Sequence, residues 1–142
     1  MVSFKYPPEA DGKQVNCGEH TDCGFLTLLV QSSAGLDVFS NLTKKWHTVK
    51  PVENAVLVNL GDLTQFWTND RYKSTPHRVH NLSDGDRYSI VFFANCDFRT
   101  QLGALTDDQE KNKNRNNAIT AGEYILEKLG LMWLMSETDE VE

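Results

Sequence analysis

Cysteine is scarce and unpatterned in this chain: Cys17, Cys23 and Cys96 are an odd number with no Cys-x-x-Cys spacing. That argues against a disulfide framework and against a cysteine-built zinc site, and the thiols read as reduced in an intracellular, cytoplasmic protein. Long hydrophobic runs are missing as well, with nothing near the roughly 20 apolar residues of a membrane span. Met1–Tyr6 has neither the basic nor the apolar block of a signal peptide. Basic residues are outnumbered, 14 Lys and Arg against 20 Asp and Glu, for a net charge of −6. This removes the basic face that nucleic-acid binding needs and gives no reason to expect adhesion to anionic membranes.

The 142 residues suffice for one domain with its own core. Short strand-like runs separated by turn residues fill the first two thirds: Val2–Tyr6, Lys13–Glu19, Phe25–Val30, Leu36–Phe39, Lys45–Val49, Ala55–Leu60, Ser74–His80 (broken by Pro76) and Arg87–Ala94. Strands at this spacing predict an all-β sandwich or barrel. Leu63–Thr68 reads as a turn or two of helix with Asp62 as its N-cap. The stretch Thr106–Asn117 is polar and reads as a loop.

Thr120 and Glu123 then form a capping-box pattern. Ile125, Leu126, Leu129, Met132 and Trp133 recur as one apolar helix face. The chain thus divides into a β core over 1–105, a polar loop over 106–118 and a helix over 119–135 that packs on the core. Ala55–Leu60 and Arg87–Ala94 are apolar on both faces, so their sheet needs cover on two sides. The helix is expected to cover only part of one face, and an uncovered remainder predicts self-association.

Three short signals carry chemistry. In an extended segment His20 and Asp22 point the same way, side by side, and His77 sits in another strand-like run that a barrel can bring near. Two imidazoles and a carboxylate suit mononuclear Fe(II) with open coordination positions, although Ni, Cu or Zn bind such donors more tightly. Arg87 and Ser89 share one strand face, where a guanidinium fork and a hydroxyl match a carboxylate. Each signal alone has an ordinary alternative. His20 and His77 read equally as surface or buried histidines without a role, as His47 and His80 do. On spacing alone Arg87 reads as a surface partner of Asp84 or Asp86.

Taken together, the motifs resemble the 2-oxoglutarate and Fe(II)-dependent dioxygenase superfamily, in particular its isopenicillin N synthase-like branch. The matching stretches are Tyr6–Pro8, Glu19–Leu29, Val58–Asp62, Trp67–Asn69, Tyr72–Val79 and Arg87–Ile90, with Ile119–Leu129 resembling the C-terminal helix. The resemblance implies a double-stranded β-helix, or jelly roll, with a C-terminal α-helix. It implies Fe(II) on His20, Asp22 and His77, and 2-oxoglutarate as cosubstrate with its distal carboxylate on Arg87 and Ser89, assisted by Tyr6. It implies oxidation of a small organic substrate by O2, giving succinate and CO2. Phe93 shares the parity of Arg87 and Ser89, and reads either as a substrate-pocket residue or as a core phenylalanine.

Relatives of this branch carry a long helical region before the tyrosine strand, and this chain begins almost at that strand. That supports one alternative, a truncated, catalytically silent metal-binding domain; the resemblance leaves a second, an oxidase of the same branch that does not use 2-oxoglutarate, which Arg87 and Ser89 do not exclude.

Overall fold

The alternating pattern becomes eight strands in a computed structural model, which describes residues 1–8, 16–81, 83–103 and 119–138. They are β1 (Val2–Tyr6), β2 (Cys17–His20), β3 (Leu26–Gln31), β4 (Leu36–Ser40), β5 (Lys45–Val49), β6 (Leu57–Leu60), β7 (His77–Val79) and β8 (Arg87–Ala94). Among the described residues two helices accompany them, α1 (Asp62–Trp67) and α2 (Ala121–Thr138). The predicted loop over 106–118 lies outside the described residues, as do residues 13–15 of the strand expected over Lys13–Glu19. Pro76, which cannot donate to a ladder, sits immediately before β7 and sets its start. Among the described residues no helix is long and apolar enough to cross a membrane.

The strands form two antiparallel sheets, ordered β1-β8-β3-β6 and β2-β7-β4-β5. They make the jelly roll that the resemblance implies. Leu29, Leu36, Val79 and Val91 are the buried centre between the sheets, with Tyr6, Cys17, Val38, Val49 and Leu57 against them. A second core holds α2. Ala121 and Ile125 pack with Leu63 of α1 and Leu102, ringed by Phe25, Phe66, Trp67, Cys96, Ile119 and Tyr124.

Two expectations about the helices need correction. Asp62 is not the N-cap of α1 but its first residue, and Gly61 occupies the cap with no side-chain hydrogen bond. The first N–H groups of a helix need acceptors, and here the Asp22–Phe25 loop supplies them. Gly61 N donates to Phe25 O (3.0 Å), Asp62 N to Asp22 O (2.7 Å) and Leu63 N to Gly24 O (3.1 Å). A Cβ on Gly61 would lie 2.1 Å from the Gly24 carbonyl oxygen, so only glycine permits this approach.

The second correction concerns the apolar stripe of α2. Ile125 is buried, but Leu126 and Leu129 are exposed. Met132 and Trp133 lie where no side chain is described. Over the described side chains the stripe is narrower than the periodicity suggests, because the contact is to one short helix and its flanking loops.

Candidate metal and carboxylate site

Strand pairing solves the problem of bringing distant ligands together. His20 and His77 are direct cross-strand partners at the end of the β2–β7 ladder, beside a register irregularity between Cys17 and His20. Their ring centroids lie 4.2 Å apart. β2 ends at His20, so Asp22 is not placed by strand alternation as the sequence suggests. Its backbone carbonyl instead caps α1, and its side chain is buried. His20, Asp22 and His77 each bring one donor atom within 4.8 Å of the others.

Hydrogen bonds decide which atoms face the centre. A backbone carbonyl can only accept, so Nδ1 of each imidazole carries a proton. His20 Nδ1 donates to Gly18 O at 2.7 Å and His77 Nδ1 to Thr75 O at 3.0 Å. This leaves the Nε2 lone pairs for a cation. Asp22 Oδ2 accepts from Thr27 Oγ1 (2.5 Å) and from Asn59 Nδ2 (2.8 Å), while Oδ1 lies 3.7 Å from His77 Nε2. The His20 pKa is pushed up to about 9, chiefly by the Cys17 sulfur beside Nδ1, with burial opposing and the Gly18 carbonyl adding.

Arg87 is fully buried and is not the surface partner of Asp84 or Asp86 that its spacing suggests; Asp86 pairs with Lys5 at 2.8 Å. Its Nε donates to Ser33 O (3.3 Å) and its Nη2 to Gln31 Oε1 (2.8 Å), both neutral acceptors. Nη1 is buried with no partner. Tyr6 faces Arg87 across the β1–β8 pairing, with the guanidinium carbon 5.0 Å from its ring centroid. Burial lowers the Arg87 pKa, with the Tyr6 hydroxyl opposing. Gly35 has φ +137°, and a Cβ there would lie 2.1 Å from His80 O and 3.0 Å from Arg87 Cδ and Nε. That turn makes room for the arginine.

A cavity of about 500 Å³ opens between the sheets. Tyr6, His20, Asp22, His77, Arg87, Ser89 and Phe93 all line it, so the sequence-predicted site residues converge on one space. His47 and His80 do not line it. His47 meets Thr43 Oγ1 on the surface and His80 lies 3.7 Å from Asp37. A buried cation with one unpartnered donor, in the same cavity as an N, N, O donor set, fits a carboxylate ligand beside a divalent metal.

Sequence reasoning missed Thr27, Asn59 and Gln31, which hold Asp22 and Arg87. Composition leaves one trace, a polar residue in or at the end of an otherwise apolar strand, but it does not say which side chain each one holds.

Residues 1–95 match the family model described as the 2OG-Fe(II) oxygenase superfamily. The chain is 38% identical over 122 residues to clavatol oxidase claD of Penicillium crustosum, covering 84% of this chain and 36% of that protein. It is 39% identical over 129 residues to the 2-oxoglutarate-dependent dioxygenase citB of Monascus ruber, covering 87% and 39%. Among solved structures it is similar to a full-length Neurospora crassa protein crystallised in complex with alpha-KG and thymine. There the TM-score is 0.79 at 34% identity, covering 92% of this chain and 43% of that one. The chain thus spans less than half the length of these relatives.

Proposed function

We propose, on the premise that this chain belongs to the 2OG-Fe(II) oxygenase superfamily, that it forms the catalytic core of an Fe(II)- and 2-oxoglutarate-dependent oxygenase acting on a small organic molecule. His20 and His77, through Nε2, and Asp22, through Oδ1, hold the iron. Arg87 and Ser89 hold the distal carboxylate of 2-oxoglutarate, with Tyr6 beside them. Iron and cosubstrate together supply the oxidising power, yielding succinate and CO2 from 2-oxoglutarate and O2. The chain's own residues orient the donors, neutralise the carboxylate and keep water from the reacting face. Phe93, inward-facing on β8 and partly exposed to the cavity, contacts the substrate.

The observation that carries this reading is Arg87: a buried guanidinium with neutral partners and an unused Nη1. It calls for a carboxylate ligand in the cavity, and succinate production coupled to oxygen uptake separates 2-oxoglutarate use from the oxidase alternative. The motif Glu19–Leu29 supports placement in the isopenicillin N synthase-like branch. The reduced thiols of Cys17 and Cys96 support a cytoplasmic location. The half-exposed outer face of the β1-β8-β3-β6 sheet supports association with a second copy.

The test is anaerobic addition of Fe(II) and then 2-oxoglutarate, watching for the weak visible charge-transfer band of the chelate. The band is expected in the wild type and absent in His77→Ala, with the far-UV circular dichroism unchanged. A full band in His77→Ala removes the iron assignment.

A further inference from the structure

We infer that Thr27 and Asn59 act as a paired positioning device for Asp22, holding its carboxylate so that only one oxygen faces the metal; this rests on the iron reading above. The two residues are direct cross-strand partners in the β3–β6 ladder, on the face turned toward the cavity. Both reach the same atom. Thr27 Oγ1 lies 2.5 Å and Asn59 Nδ2 2.8 Å from Asp22 Oδ2. A carboxylate oxygen has two lone-pair directions, and two donors occupy both. Oδ1 is left turned toward His77 Nε2, 3.7 Å away.

Packing alone does not account for this convergence. Thr27 is buried on strands whose neighbours are mostly apolar, and valine has nearly the same shape as threonine. What the hydroxyl and the amide add is directional. Asp22 lies beyond the end of β2, so its strand does not fix its side chain. Two donors from a rigid neighbouring ladder do. The chemical consequence is coordination number: a carboxylate restricted to one oxygen takes a single position on the cation. A carboxylate free to rotate can take two, at the expense of a position that a chelating cosubstrate or oxygen needs. Partners of this kind are worth about 10–100-fold in metal affinity.

The experiment is anaerobic titration of the purified chain with Co(II), read by calorimetry and by the visible d–d spectrum. The variants are Thr27→Val, Thr27→Ser, Asn59→Leu and the double variant T27V/N59L, with circular dichroism confirming folding in each. Thr27→Val and Asn59→Leu are expected to weaken Co(II) binding about 10–100-fold and to change the d–d band shape as the carboxylate turns. Thr27→Ser, which keeps the hydroxyl, is expected to restore both affinity and band. Should Thr27→Val not fold, Asn59→Leu alone reads the second donor.

Wild-type affinity and band in T27V/N59L, with binding still lost in His77→Ala, overturns the positioning role and leaves the iron site standing. A Thr27→Ser variant as impaired as Thr27→Val also overturns it, since size rather than the hydroxyl would then matter. Wild-type protein that takes up no Co(II) overturns the iron reading itself, and the pair's role with it.

Discussion

Arg87 is the residue on which most depends. A buried guanidinium loses its hydration, and two neutral acceptors return only part of it. Under the proposed function a ligand carboxylate completes the set, so removal of the side chain is expected to be costly. Arg87→Ala is expected to weaken 2-oxoglutarate binding by about 2–4 kcal/mol, as for truncating one side of a buried charge-assisted pair. Calorimetry of the Fe(II)-loaded protein reads this directly, and unchanged affinity removes Arg87 from the role. Gly35→Ala tests the same site from behind. With φ at +137° and the added carbon 2.1 Å from His80 O and 3.0 Å from Arg87 Cδ and Nε, it is expected to lower cosubstrate affinity and the unfolding free energy together, read by calorimetry and urea denaturation. The residues that line the candidate site were legible in the sequence because short spacings recorded them: His20 and Asp22, like Arg87 and Ser89, are separated by a single residue. The residues that hold those residues were not. Asn59 reaches Asp22 and Gln31 reaches Arg87 across separations of 37 and 56 residues. Thr27 is near Asp22 in the chain, but only the turn between β2 and β3 aims it there. A one-dimensional pattern does not carry such contacts.

At the scale of elements, periodicity predicted strands well, placing β1, β5 and β8 at their observed ends. It predicted helix termini unevenly, and the two helices show why. α2 begins with a local device: Thr120 N donates to Glu123 Oε2 at 2.8 Å and Glu123 N to Thr120 Oγ1 at 3.2 Å. Both partners lie within one turn of each other, so the sequence shows it. α1 is capped by carbonyls of the Asp22–Phe25 loop, far earlier in the chain, and no local motif reveals that. The capping box yields a prediction with a defined pH dependence. Thr120→Ala is expected to lower the unfolding free energy by about 1 kcal/mol, measurable by urea denaturation. The Thr120 backbone and hydroxyl hold the Glu123 carboxyl below its ordinary value of 4.5. A carboxyl with a depressed folded pKa contributes stability above its unfolded pKa and loses it as pH falls through the folded one. Helix content read at 222 nm is therefore expected to decline below about pH 4.5. Glu123→Gln should flatten that decline, and an identical acid profile in both proteins refutes the linkage.

For the molecule as a whole, the two sheets divide their duties. The inner faces enclose the cavity, and a jelly roll supplies them from strands that are far apart in sequence, β1 beside β8 and β2 beside β7. The outer face of the β1-β8-β3-β6 sheet is the other side of the same strands. There Val30 stands opposite Ile90, and Leu28 stands opposite both Phe92 and Val58. Tyr88, Ile90, Phe92, Val30 and Val58 are each about half exposed. The double-sided apolar pattern of Arg87–Ala94 announced this problem in the sequence. α2 leaves these residues open because it packs against α1 and Leu102. Apolar side chains adjacent on one face of a sheet form a continuous patch, and such patches drive association. The isolated chain is therefore expected to sediment as a dimer or larger species at micromolar concentration. Ile90→Lys together with Phe92→Lys places two charges at the centre of the patch without touching the inward residues Arg87, Ser89 and Val91. That variant is expected to sediment as a monomer and still give the charge-transfer band with Fe(II) and 2-oxoglutarate. A wild-type chain that is already a compact monomer, with no binding of an apolar dye, shows that this face needs no partner.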